Sequence, residues 1–206
     1  MQQRIGIVSG TFDPVHMGHV AFALDAITQA KLDRVYFMVE RNPRRKQGVK
    51  AYEHRQAMVQ LAIKNQPMLG SIITEQDRFT AQDTLPVLKA RFGAAAKLAL
   101  LMGDDMLSHL ADWPDVEKLL KAADFVVGAR GDAAAAEQRL QLIQEVRGIS
   151  FNYNIFNSNL SSASSTAVRR AVRKTGTSKH LDPLVQDYII EHKLYASSDD
   201  ENASSK

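Results

Sequence analysis

Cysteine is absent from this 206-residue chain. That excludes disulfides, thiolate nucleophiles and thiolate-held metals, and it agrees with a reducing compartment. Tryptophan occurs once, as Trp113, and a lone tryptophan is ordinarily core or core edge. No apolar run approaches the roughly 18 residues of a membrane span. The opening MQQRIGIVSG lacks the basic, apolar and small-residue blocks of a secretory leader, so a cytoplasmic setting is expected. Excess charge of one sign is small, at +3, although the isoelectric point is about 9.1. A surface this mildly basic suits phosphate-bearing small molecules as well as polymers. What the chain does have is an ordinary apolar share, 45% against 24% charged residues. At this length that is enough to bury one core.

Apolar runs recur with helical patterns between them. RIGIVS (4–9), RVYFMV (34–39), GSIIT (70–74), KLALLMG (97–103) and DFVVGA (124–129) predict strands, several of them buried on both faces, and GISFNYNIF (148–156) a sixth. Segments 17–31, 51–65, 80–92, 115–122 and 131–146 have helical spacing, as do the serine-led 161–176 and LDPLVQDYIIEHKLY (181–195). Alternating strand and helix implies an α/β fold of Rossmann-like, doubly wound type, with a mainly parallel sheet and right-handed crossovers. One domain over 1–195 and a disordered tail over 196–206, the small, polar ASSDDENASSK, complete the expected organisation.

GTFDPVHMGHV (10–20) falls where the first strand hands over to a helix. In an open parallel sheet this is where ligands bind. Gly10 allows close backbone approach, Thr11 offers a hydroxyl, and a helix starting near His16 or Met17 supplies amides and a positive dipole end. His16 and His19, three residues apart, could both donate to phosphate oxygens, with Gly18 leaving space between them. A metal site is not expected, because no third histidine or carboxylate cluster is near in sequence. Taken alone, either histidine reads as a capping or surface residue; the pair with its glycines points to phosphate chemistry.

This stretch resembles the HxGH signature of the nucleotidyltransferase superfamily, shared by several adenylyl- and cytidylyltransferases. Further segments are similar to bacterial nicotinate mononucleotide adenylyltransferases. They are LMGDDMLSHLADW with Gly103, Asp105 and Trp113, DTL at 83–85, Ser164-Ser165-Thr166-x-x-Arg169, and the closing helix. The resemblance implies transfer of an adenylyl group from ATP to nicotinate mononucleotide, magnesium accompanying the ATP, and no protein nucleophile. His16, His19, Lys46 and Arg169 would then stabilise charge on the phosphates. Gly10, Thr11, Phe12 and Gly103 would flank ATP, and Ser165 and Thr166 would cap a helix facing its β- and γ-phosphates. Thr84, Asp105 and Trp113 would face the acceptor, the indole stacking on its pyridine ring.

Two segments depart from the family pattern. The basic run ERNPRRKQGVK (40–50) keeps Lys46 but reads Pro43-Arg44-Arg45 where the family has Pro-Pro-His, and Thr80-Ala81 replaces Tyr-Thr ahead of Thr84. Other acceptors, nicotinamide mononucleotide and phosphopantetheine, therefore stay open, as does a non-catalytic nucleotide-binding regulator. A nucleic-acid partner is not expected, because the basic run contains no aromatic residue.

Overall fold

The structure, a computed structural model, describes residues 2–44, 46–158 and 163–196. Apart from Ala196, the tail expected to be disordered lies outside them. Strands β1 (Arg4–Gly10), β2 (Arg34–Val39), β3 (Leu69–Ile72), β4 (Lys97–Gly103), β5 (Ala123–Ala129) and β6 (Tyr153–Asn157) form one sheet in the order β3-β2-β1-β4-β5-β6. Every neighbouring pair is parallel. This is the doubly wound arrangement the sequence predicts.

Helices cover both faces. Side chains alternate along each strand, so Ile5 and Ile7 point to one side and Val8 to the other. On the Val8 side lie α1 (Met17–Gln29), α2 (Tyr52–Ala62), α7 (Ser165–Thr175) and α8 (Pro183–Glu191). On the Ile5 side lie α3 (Ala81–Phe92), α4 (Leu107–Leu110), α5 (Val116–Ala122) and α6 (Ala133–Arg147). Among the described residues no helix is long and apolar enough to cross a membrane.

Several boundaries differ from expectation for local reasons. The sixth strand begins at Tyr153 and not at 148, because Gly148 takes a left-handed conformation that closes α6, its amide bonding back to Gln144 and Glu145. The third strand stops at Ile72, and Ile73 is 61% exposed. The 3-10 turn Asp104–Met106 and the single turn of α4 were not foreseen; together they fold the DDMLSHL segment over the end of β4.

The sheet reverses its winding between β1 and β4. Strand β1 pairs with β2 all the way to Gly10 opposite Val39, whereas its pairing with β4 ends at Ile7 opposite Leu100. The two central strands therefore part over their last three residues. A crevice opens at this switch point, with GTFDPVH on one lip and the Gly103 turn on the other.

Candidate active site

The first lip is a closely packed post. Phe12 has φ 49°, a left-handed conformation that costs a non-glycine residue about 1–2 kcal/mol. Packing offsets that cost, since the Phe12 ring meets His19 edge-on at 5.1 Å and Phe37 at 5.4 Å. The same ring crowds Gly10, where a Cβ would stand 3.1 Å from Phe12 Cζ and the ring would have to give by a few tenths of an ångström. Asp13 follows, joined to Pro14 by a cis peptide bond.

His16 is the N-cap residue of α1, in extended conformation, and His19 is its third helical residue. Their rings stack at 3.7 Å with 24° between planes. The His16 amide donates to His19 Nδ1 at 3.2 Å, which leaves the His19 proton on Nε2. Burial holds both imidazoles neutral. It pulls His16 down to about 4, aided by the nearby charges of His180 and Arg130. His19 lies well below the usual histidine range, again chiefly through burial, with His16, Arg130 and Lys46 adding to it. The buried Nδ1 of His16 has no hydrogen-bond partner.

Gly18 does not open a gap for ligand, as the sequence suggested. A Cβ there would lie 2.8 Å from His16 Nδ1 and 3.3 Å from Ala163 Cβ, so the missing side chain makes room for the His16 ring itself. The α1 terminus is also partly engaged, since the Met17 amide donates to the His180 carbonyl at 2.8 Å.

Helix α7 docks directly on the post. Its cap is Ser164, which accepts from the Ala167 amide, and not Ser165 or Thr166 as expected. Ser165 lies one residue inside and donates from Oγ to the Pro14 carbonyl at 2.9 Å. Arg169 donates to the Asp13 carbonyl at 2.6 Å and to Thr166 Oγ1 at 3.3 Å, and its Nη1 stands 3.9 Å from the Asp13 carboxylate. Asp13 in turn accepts from the Tyr195 hydroxyl at 2.6 Å and from the Lys50 amide at 3.3 Å. Burial and the bond to Asp13 push the Tyr195 phenol far up, so it stays a donor.

On the other lip, Gly103 ends β4, and the Asp105 carboxylate lies against the position a Cβ would take there. Trp113 is half-buried against the second apolar layer. Thr84 is placed differently from expectation. It is fully buried, donates to Gln76 Oε1 and accepts from the Thr80 amide, both at 3.0 Å, so its hydroxyl is committed inside the protein. Lys46 is exposed on the basic loop, near enough to His19 to affect its protonation.

Arg130 was missed by sequence reasoning. It is the first residue beyond β5, its amide donates to Asp104 Oδ2, its guanidinium stands 3.6 Å from Asp105, and its charge is close enough to lower both histidines. Its only sequence signal is its place just past the carboxyl end of a strand.

Two neutral imidazoles stand at the switch point of a doubly wound sheet, with the charges of Arg130 and Lys46 near them and Arg169 docked on the Asp13 carbonyl of the same post, an arrangement suited to a nucleotide-handling α/β protein. The chain belongs to the cytidylyltransferase-like family, whose sequence profile matches residues 7–171. It is 32% identical over 203 residues to a Dictyoglomus turgidum protein named "Probable nicotinate-nucleotide adenylyltransferase", covering 95% of this chain and 97% of that one. A Symbiobacterium thermophilum protein of the same name is also 32% identical, over 93% of this chain and 95% of its own. The fold is shared with Plasmodium falciparum nicotinic acid mononucleotide adenylyltransferase complexed with NaAD, at TM-score 0.75 and 21% identity, covering 94% of this chain and 98% of that one.

Proposed function

We propose that this protein transfers the adenylyl group of ATP to nicotinate mononucleotide, giving nicotinate adenine dinucleotide and pyrophosphate. The acceptor's phosphate attacks the α-phosphorus in line as pyrophosphate leaves. The observation that carries this reading is the stacked histidine pair, held neutral by burial with Arg130 and Lys46 nearby, at the carboxyl end of the central strand. Such a site places charge-stabilising groups where the transition state needs them and asks no side chain to act as nucleophile. In this scheme His19 donates from Nε2 to a phosphate oxygen, with His16 stacked beneath it. Arg169, Lys46 and Arg130 offset charge on the departing phosphates, and Trp113 and Asp105 face the pyridine nucleotide.

Among the described residues no three histidine, aspartate or glutamate side chains gather to hold a metal. The groups at the crevice suit anions. Magnesium therefore enters this proposal bound to ATP, as part of the substrate. The working unit is 1–195, acting in the cytoplasm on small molecules, with neither nucleic acid nor membrane required.

The test is pyrophosphate release from ATP and magnesium, run in parallel with nicotinate mononucleotide and its amide. Release with the acid, at far higher kcat/KM than with the amide, is the expected result. Preference for the amide would overturn the acceptor assignment, and release with neither would overturn the reaction.

A further inference from the structure

Arg55, on α2, is 1% exposed and takes no part in the reaction just described. A buried guanidinium must have its N–H groups satisfied, and a bidentate carboxylate is one common way to do so. This one instead spends four N–H groups on four backbone carbonyls. Its Nε donates to Lys50 at 2.8 Å, Nη1 to Thr11 at 2.8 Å and Glu40 at 2.7 Å, and Nη2 to Arg41 at 2.9 Å. Asp13 and Glu40 lie near enough to offset its charge.

Those four carbonyls share one feature. Glu40 and Arg41 begin the basic loop that carries Lys46, Lys50 ends it, and Thr11 belongs to the histidine post. Other bonds hold one end each. Arg41 and Asn42 are tied to Thr74, Glu75 and Asp77, while the Lys50 amide is tied to Asp13. Among the described hydrogen bonds, only the Arg55 side chain grips both ends of the loop and the post together. Tyr52, one turn earlier on α2, adds to the grip, with Arg41 stacked on its ring at 4.1 Å.

We propose that Arg55 is a positioning residue, setting where the basic loop stands relative to the histidine post and so where Lys46 meets the phosphates. This rests on the reaction proposed above. Its consequence is that Arg55 acts on turnover through Lys46, although it touches no substrate. A displacement near 1 Å of a charge-stabilising group costs up to roughly 10²-fold in rate.

The test is a double-mutant cycle of Arg55→Lys and Lys46→Ala, read as kcat and KM. A lysine keeps the charge, but its single nitrogen cannot span the four carbonyls. Arg55→Lys is expected to lower kcat by roughly 10- to 100-fold with a smaller change in the KM for ATP. Adding Lys46→Ala to it should cost little more, because Lys46 is already displaced. Amide deuterium exchange should quicken across 41–50 and hold steady in β1 and α2. If Lys46→Ala costs the same factor in both backgrounds, Arg55 does not act through Lys46 and the proposal falls.

Should Arg55→Lys not fold, the wild-type enzyme decides. The Arg55 Nε proton, followed by NMR, should exchange with solvent as slowly as core amides, and exchange at the rate of an exposed arginine would refute the anchor. Both exchange readouts need no acceptor, so failure of the proposed reaction in the pyrophosphate assay is told apart from failure of the anchor.

Discussion

Lowering the pH should charge the histidine pair late. His16 titrates at about 4 in the folded protein, against an ordinary value of 6.5, mainly because burial strips water from its charged form. At about 1.4 kcal/mol per pH unit, this difference is worth roughly 3 kcal/mol. The sign follows from proton counting. Between pH 6.5 and about 4 the unfolded chain carries a proton on His16 that the folded chain refuses, so stability is complete above 6.5 and drains away as pH falls toward 4. His19, depressed for the same reason, steepens the loss. Nitrogen-15 NMR of the imidazoles from pH 7 to 4 gives the midpoints. Denaturant unfolding over the same range, with the slope of a His16→Gln variant subtracted, gives the energy. A His16 midpoint near 6.5, or no difference in slope between wild type and variant, would refute the picture of a dry, neutral donor pair. Bound triphosphate should shift both midpoints upward, since anions a few ångströms away favour the charged imidazole.

His19→Ala should lower kcat by roughly 10²-fold while ATP binding persists, as measured by single-turnover kinetics and calorimetry; unchanged turnover would remove His19 from the mechanism. Gly18→Ala places a Cβ 2.8 Å from His16 Nδ1, so the imidazole must move and kcat should fall with the fold intact by circular dichroism. A wild-type kcat would show that the ring's position is not needed. Tyr195→Phe strips the Asp13 carboxylate of its 2.6 Å donor and should cost about 1.5–3 kcal/mol in urea unfolding. An unchanged midpoint would show that the clasp between the two ends of the chain contributes nothing.

The post shows where local reading stops. The histidine spacing, the glycines beside it and the serine-threonine start of α7 were visible because each is a short pattern with its own chemistry. The cap was misplaced by one residue, since Ser164 and Ser165 are chemically alike and only the direction of each hydroxyl separates them. The sequence reads Gly18 as space between the histidines, whereas that space is taken by the His16 ring of the same chain. Thr84 was read as facing the acceptor, yet its hydroxyl is closed within the turn that precedes α3.

By itself the sequence determined the alternation of strand and helix and the turn that forms the crevice's first lip, and it marked His16, His19 and Arg169 as candidates for phosphate contact. Those follow from hydrophobic period, turn residues and side-chain donors, all of which act over a few residues. The tertiary structure alone decided that the charge of Arg130 comes near the histidines, that Tyr195 holds Asp13 across 182 positions of chain, and that Arg55 binds four carbonyls. The reason is physical. Every residue carries a carbonyl, so a backbone acceptor leaves no mark in the sequence, and which carbonyls converge on one guanidinium is settled only when the sheet and its loops have packed.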